Sequence, residues 1–493
     1  MWRTPVGAMA LMLYFAVAPA AENVETAIIT KDQAALRGTP RASARQQAVL
    51  WQGEMVEVRG ERLDYLQVYD YQRERGGFVH ASLVRRVKLA AEEAPELLSI
   101  VRFLRDTPGA EALGIGFAVA YVQAAPAATL QGEAGIELLD ALGGFADRLA
   151  RRASSASART QAGETALSAH LDVARRYGIN FASHERGGRM QVCYDGDAFR
   201  RVLALRSNPA ARARAALALT RYECIDPDLG PLQRSRLDEW RAEVLDGVDA
   251  SALPGYLRNR VLMRRASVWS SLAYQRARRG EDAGEAATHA LSALAGIDKS
   301  ELTEEDQVVY NDAAMRVSAS RWAAAPAPAG KKGKRAYVVT EPGGPGETCI
   351  LLLDDQHDVT NPLLRRCTYG IVWAGSASLN REGNALALAV QPMDAWREVW
   401  VFRKRGNGWT VGVLPPAATV PEIGYAEFAG WVPGGKQMLV AREARGDGKY
   451  QRNFEVMRLD TLAVARQAGD PAILGAFQRW QDPSWKAQTL SLR

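Results

Sequence analysis

Histidine and cysteine are scarce in this chain of 493 residues, which has five of the first and four of the second. The histidines are scattered, and none of them pairs with another at metal-ligand spacing. The chain also lacks the H-E-x-x-H, C-x-x-C and G-x-S-x-G motifs and a phosphate-binding loop. These absences remove the common zinc, redox, hydrolase and nucleotide sites, and we predict no catalytic residue, no metal and no cofactor.

Long hydrophobic runs are missing after the N-terminus. The most apolar internal stretch, residues 113–122, is too short to cross a bilayer, so we expect no membrane span in the mature chain. The first residues instead have the pattern of a signal peptide, with Arg3, an apolar run over 6–17 and the small-residue site Ala18-Pro19-Ala20. We therefore predict removal of residues 1–20 and a periplasmic or secreted location.

An excess of charge of one sign is also missing. The net charge is +6, and 47% apolar and 24% charged residues are typical of a globular protein. A charge this small does not indicate nucleic acid, and export would separate the chain from the nucleic acid of the cell, so we predict no such partner. The length predicts more than one domain.

The four cysteines form an even set in a chain predicted to be exported, which indicates disulfides. Three pairings are possible for four cysteines. We favour the pairing that keeps each bridge inside one predicted domain, namely Cys193 with Cys224 and Cys349 with Cys367.

Residues 27–87 contain alternating apolar and polar positions separated by glycine turns, which predicts short strands. Four segments of this stretch resemble the bacterial SH3 domain family: Ala35-Leu36-Arg37 with Pro40, Gly53-Glu54-Met55-Val56-Glu57-Val58, Tyr65-Leu66-Gln67-Val68 and Gly77-Phe78-Val79. The resemblance implies a small closed β-barrel that binds cell-wall peptide or protein partners and has no catalytic activity.

Aromatic residues of this stretch are candidates for a ligand groove, because small recognition barrels bind peptides with aromatic side chains. Tyr65 and Phe78 have the positions of core residues. We therefore assign ligand binding to Trp51, Tyr69 and Tyr71.

Residues 90–322 have helical periodicity and predict an α-helical domain. Asn208-Pro209 has the pattern of a helix start, with a capping Asn and Pro in the first turn. Residues 323–335 follow as a linker that is rich in alanine and proline and ends in a basic cluster.

Residues 336–493 predict a β domain that contains an internal repeat. The stretch 378–387 followed by 398–401 matches the stretch 431–440 followed by 454–460, at a spacing of about fifty to fifty-six residues. This repeat resembles the propeller blades of periplasmic TolB-like proteins, with Glu382 and Gly434 where that family has Asp. The length allows about three blades, so the resemblance implies a partial propeller or an open sheet.

The predicted fold class is a multidomain α+β protein with an SH3-like barrel, a central helical domain and a C-terminal antiparallel β domain. Three modules of interaction type favour a non-catalytic scaffold of the bacterial envelope that binds envelope proteins or peptidoglycan peptides. The alternative is a peptidoglycan-processing cysteine peptidase. In it, Cys193, at a helix start, would be the nucleophile and His289 or His357 the base.

Overall fold

The computed structural model describes residues 25–155, 160–325, 335–416, 422–446 and 448–488. The predicted signal peptide and most of the predicted linker, residues 326–334, lie outside these ranges. The described chain is mixed α+β with predominantly antiparallel sheets, and it divides into two compact units, 1–207 and 208–493. Helices from the stretch 90–322 contribute to both units.

Unit 1 consists of a sheet followed by helices and one hairpin. The sheet strands are β1 Thr26–Ile29, β2 Ala34–Arg37, β3 Gln46–Leu50, β4 Met55–Arg62, β5 Tyr65–Asp70, β6 Arg75–His80 and β7 Val84–Val87. The helices are α1 Ala94–Arg105, α2 Glu111–Ala124, α3 Ala127–Leu130, α4 Glu133–Ser154, α5 Gln161–Arg176 and α6 Asp197–Ala204. The hairpin, β8 Phe181–Arg186 and β9 Arg189–Tyr194, lies between α5 and α6.

The first sheet is open rather than closed. Its strand order is β3-β2-β6-β5-β4-β1-β7, so hydrogen bonds among the described residues do not close the barrel that we predicted for residues 27–87. The two end strands carry exposed polar residues, Gln46 and Gln47 on β3 and Arg85 and Arg86 on β7. Polar side chains of this kind keep edge strands from pairing.

Strand β1 is buried on both faces, which explains why its sequence does not alternate. Ala27 and Ile29 pack in a core formed by the sheet itself. Ile28 points the other way, and with Val87 it belongs to the core formed by helices α1, α2, α4 and α5. This seven-stranded sheet therefore shares one of its two cores with the helices that follow it.

The turn before β4 meets helix α2 at very close range. A Cβ atom on Gly116 of α2 would lie 2.5 Å from the carbonyl oxygen of Gly53. Gly53 also has a φ of +87°, a backbone conformation that favours glycine. Two glycines thus permit the backbone contact that brings the sheet onto the helices.

Unit 2 begins with helices and continues as β-structure. The helices are α7 Pro209–Leu219, α8 Pro231–Asp246, α9 Gly255–Arg278, α10 Gly284–Ala295 and α11 Glu304–Ser320. A three-stranded sheet follows, with β10 Tyr337–Pro342, β11 Thr348–Leu353 and β12 Leu364–Thr368. The predicted start at Asn208-Pro209 is confirmed, because the Asn208 side chain accepts a hydrogen bond from the Ala211 N–H at 2.8 Å.

Two consecutive four-stranded antiparallel meanders complete the β-structure of unit 2. The first has strands β13 Ile371–Leu379, β14 Ala385–Met393, β15 Trp396–Arg405 and β16 Gly408–Leu414. The second has β17 Ile423–Val432, β18 Gln437–Gly446, β19 Lys449–Arg458 and β20 Val464–Ala468, and the short helices α12 Gly475–Trp480 and α13 Pro483–Gln488 follow. A short parallel contact between β15 and β17 joins the meanders.

The repeat found in the sequence occupies equivalent places in the two meanders. The first copy covers the end of β13, the turn and the start of β14, and then enters β15. The second copy covers the same parts of β17, β18 and β19. The two matching segments therefore fold into the same strand-turn-strand unit.

A buried ionic cluster connects the end of helix α11 to the strands of unit 2. Glu427 of β17 forms an ion pair with Arg321 and lies 3.4 Å from Arg397 of β15. The Arg397 guanidinium, which is fully buried, also donates to the carbonyl of Ser318 at the end of α11 at 2.5 Å. We refer to Arg321, Arg397 and Glu427 as the Glu427 cluster.

The described residues contain no free cysteine. The predicted bridge between Cys349 and Cys367 is present and joins neighbouring strands β11 and β12. Cys193 and Cys224 are disulfide-bonded as well. Within the same residues, no helix combines the length and the apolar composition that a membrane crossing needs.

The substitution Gly116→Ala should destabilise unit 1 by about 1–3 kcal/mol, because the new methyl group meets the Gly53 backbone. Gly144→Ala in α4 is the matched control, since its Cβ meets nothing within 4 Å. That control should be neutral or stabilise by about 0.5–1 kcal/mol through helix propensity. Urea unfolding of both variants measures the difference, and equal stabilities would contradict the close packing.

Removal of the second disulfide by Cys349→Ala with Cys367→Ala should reduce the free energy of unfolding by about 3 kcal/mol. The physical reason is the entropy of the 18-residue loop that the bridge closes in the unfolded chain. Urea unfolding with and without reductant measures it. In reductant both proteins lack both bridges. If the variant is then still less stable than the wild type, the loss of stability comes from packing instead.

Candidate functional site

Two of the three predicted ligand-binding aromatics lie together. Tyr69 is on β5 and Tyr71 follows that strand, and their rings meet edge to face with centroids 5.0 Å apart. The Tyr71 side chain is exposed, at 66% of its accessible area. Trp51 lies half-buried in the turn between β3 and β4, and in the described part of the chain no ring contact joins it to either tyrosine.

Two charged residues of β4 complete the surface formed by the tyrosines. The Arg59 guanidinium lies 3.9 Å from the centroid of the Tyr69 ring. The Tyr71 hydroxyl donates to Glu57 at 2.6 Å, and Arg59 pairs with the same carboxylate at 3.1 Å. We call Glu57, Arg59, Tyr69 and Tyr71 the tyrosine cluster.

The electrostatics of the cluster follow from these bonds. Hydrogen bonds from Arg59 first, and then from Tyr71, hold the pKa of Glu57 below its usual value of 4.5. The same bonds fix the orientation of the Tyr71 ring at the surface. The sequence interpretation missed Glu57 and Arg59, although alternate residues of a strand share one face and place them beside each other.

The cluster offers a ring face, a ring edge and a guanidinium on a strand pair that is held in antiparallel register. Aromatic rings of this kind bind apolar side chains of an extended peptide, and a guanidinium binds its carboxylates. The strands hold these groups in place before a ligand arrives, so binding loses little side-chain entropy.

The turn 51–54, which carries the Gly-Glu pair of the SH3-like motif, is in contact with the helical part of unit 1. Glu54 is buried and pairs with Arg73 at 3.0 Å and with Arg176 of α5 at 2.5 Å. The Tyr177 hydroxyl donates to the carbonyl of Gly53 at 2.8 Å. These residues position the sheet on the helices, and their polar groups form ion pairs and hydrogen bonds within unit 1.

The residues of the peptidase alternative lie in different environments. Cys193 is buried on β9 and is disulfide-bonded. His289 packs against the Trp269 ring at 4.6 Å, and His357 bonds to Asp354 at 2.7 Å. Each imidazole thus has a local structural contact.

The described residues contain one cluster with metal-ligand atoms at close range, formed by Glu347, Cys349 and Cys367. The two sulfur atoms of this cluster are joined in the disulfide. A disulfide has no thiolate to offer a metal, so the cluster does not fit a metal ion.

The turns of the two β repeats lie next to each other and line a cleft. The Trp431 indole donates to the Ser378 hydroxyl at 3.1 Å, and the Gly434 N–H donates to Glu382 at 2.8 Å. The cleft has a volume of about 1020 Å³ and lies between these turns and the ends of β15 and β19. We call it the repeat cleft.

Substituting Arg59 by Gln should raise the pKa of Glu57 more than Tyr71→Phe does, because the bond from Arg59 is the larger cause of the lowered value. Carboxyl carbon NMR titrations of wild type, Arg59→Gln and Tyr71→Phe measure the order. Since the folded pKa is lowered, the stabilisation is present above pH 4.5 and is lost as the pH falls through the folded value. Three identical titration curves would contradict the cluster.

The motifs quoted for the SH3-like and blade-like segments are the basis of those two resemblances. No protein-family model, curated protein or solved structure matches this chain. The function is therefore inferred from side chains and their geometry.

Proposed function

We propose that this protein is an exported, non-catalytic binding protein of the bacterial cell envelope that recognises wall peptides or protein partners. The sheet of residues 27–87 acts as an SH3-like recognition module, and the repeats of unit 2 act as propeller-like blades that offer a second surface. The observation that carries the proposal is the tyrosine cluster, in which Arg59 and Tyr71 are exposed to solvent.

The tyrosine cluster is suited to binding because its aromatic groups are not needed for the core. Tyr65 and Leu66 are buried, whereas Tyr71 is exposed to solvent. The apolar core of the sheet is built from other residues, including Leu36, Leu50 and Val79. Exposed tyrosines and arginines on rigid strands are the residue types that contribute most to the affinity of protein interfaces.

The envelope location is supported by the redox state of the chain. Disulfides persist in oxidising compartments such as the bacterial periplasm. All four cysteines are in that state. The signal peptide predicted for residues 1–20 would bring the chain there.

The peptidase alternative requires a free thiolate at Cys193, because the thiolate is the nucleophile in such enzymes. The disulfide at Cys193 removes that group. We therefore propose binding rather than peptide hydrolysis.

The double substitution Tyr69→Ala with Tyr71→Ala should weaken binding about 5- to 30-fold, as expected for loss of about 1–2 kcal/mol at an aromatic interface site. Sedimentation with purified peptidoglycan measures wall binding. Capture from envelope extract, followed by mass spectrometry of the retained proteins, measures protein partners.

The matched control is Tyr256→Ala with Tyr369→Ala, which removes two exposed tyrosines of unit 2. This control should bind like the wild type. Equal binding by all three proteins, or equal loss in both variants, would overturn the assignment to the tyrosine cluster.

A further inference from the structure

The repeat cleft is strongly basic. Among the described residues, its lining has one carboxylate, that of Asp460, and five cations: Arg403, Lys404, Arg405, Lys436 and Arg458. The two repeats contribute together to this charge, because Arg405 ends β15 and Arg458 ends the equivalent strand β19. The repeat geometry thus brings side chains distant in sequence into one cleft.

These five cations have no ion pair within the described ranges of the chain. Arg403 donates to the carbonyls of Leu459 and Asp460 at 2.8 and 3.0 Å, and Arg405 donates to the same Asp460 carbonyl. All three hydrogen bonds go to neutral carbonyl acceptors, so they do not pair the positive charges with a carboxylate. Elsewhere in unit 2, guanidinium groups face carboxylates, as Arg442 faces Glu455 at 3.0 Å.

The crowding of like charge affects Arg403. Burial first, and then the charge of Arg405, lower the pKa of Arg403, while Asp460 acts in the opposite direction. Closely spaced cations that repel each other are stabilised when an anion binds between them. The cleft therefore favours a ligand with several negative groups.

The backbone groups at the mouth of the cleft are already used. The Lys404 N–H donates to the carbonyl of Asn384, and the Leu459 N–H donates to the carbonyl of Lys436, both at 2.9 Å. A peptide that binds as an added strand needs free backbone groups of this kind. Recognition in the cleft therefore depends on side chains rather than on strand addition.

The neutral lining indicates the rest of the ligand. Asn384 and Gln437 supply primary amides, which hydrogen-bond well to hydroxyl groups. None of the described residues that line the cleft is aromatic, and aromatic rings are what proteins use to stack nucleic-acid bases. A volume of about 1020 Å³ is at the upper end of the range for ligand sites, so a ligand of several units fits.

We propose that the repeat cleft binds an oligosaccharide that carries several carboxylate, sulfate or phosphate groups. The cations neutralise the anionic groups, and the amides of Asn384 and Gln437 bind sugar hydroxyls. This site and this ligand class go beyond the peptide and protein partners of the proposed function, and they do not depend on the tyrosine cluster.

The test is calorimetric titration of the full chain with three saccharide probes: heparin hexasaccharide, hexagalacturonate and mannopentaose phosphate. The first carries several sulfates and carboxylates, the second several carboxylates, and the third a single phosphate, so the third should bind most weakly if the cleft requires several anionic groups. The variant Lys404→Gln, Lys436→Gln and Arg458→Gln should bind at least about tenfold more weakly, as expected for three partly exposed ion pairs.

The matched control is Lys449→Gln, Arg466→Gln and Arg479→Gln, which makes the same change in net charge at exposed positions of unit 2 outside the cleft lining. It should retain binding within about twofold of wild type, since screening by salt weakens charges that are distant from the ligand. Thermal unfolding of both variants checks that they fold. The tyrosine-cluster variant should bind the saccharides normally, so the two proposals can fail separately.

Three outcomes would overturn the proposal. The first is no binding of any saccharide probe by the wild type. The second is equal loss in the cleft variant and its control, which would indicate a diffuse charge effect. The third is binding of hexa-aspartate as tightly as the best saccharide, which would assign the cleft to acidic peptides.

Discussion

The arrangement of unit 2 depends on a carboxylate buried between two guanidinium groups. Glu427 interacts with both Arg321 and Arg397, and Arg397 also bonds to the end of helix α11. Burial first, and then the charge of Arg321, lower the pKa of Arg397 well below its usual value. Buried charges are costly unless they are paired, and loss of one partner typically costs about 3–5 kcal/mol. The cluster therefore fixes how the end of helix α11 meets strands β15 and β17.

Apolar packing reinforces this connection. Ile423 and Tyr425 of β17 lie in the same core as Met263 and Tyr310 of the helices. The helical and β parts of unit 2 thus form one body, and the repeat turns are held at a fixed place on it. In unit 1, Ile28 of the sheet likewise packs in the core of the helices.

The sequence predicts some residues of the candidate sites and does not predict others. Residue type indicates Tyr69 and Tyr71 as candidates, and strand alternation places Glu57 and Arg59 together on one face. Residue type also indicates Trp51, but the turn that carries it packs against the helices. No local sequence pattern indicates that packing. The barrel closure was also wrong, because which strands pair at the ends of a sheet depends on contacts distant in sequence.

The sequence by itself determined the local elements of this protein. Period-two alternation predicts most strands of the first sheet, Asn208-Pro209 predicts a helix start, and the matched segments predict the strand-turn-strand repeat. These features follow from backbone preferences and from side-chain spacing over a few residues. The tertiary structure alone decided that α1 to α6 and α7 to α11 belong to different units, and that Lys436 and Arg458 meet Lys404 in one cleft. The physical reason is that the burial of a side chain and the charge around it depend on which residues, distant in sequence, pack against it. Spacing along the chain does not determine that packing.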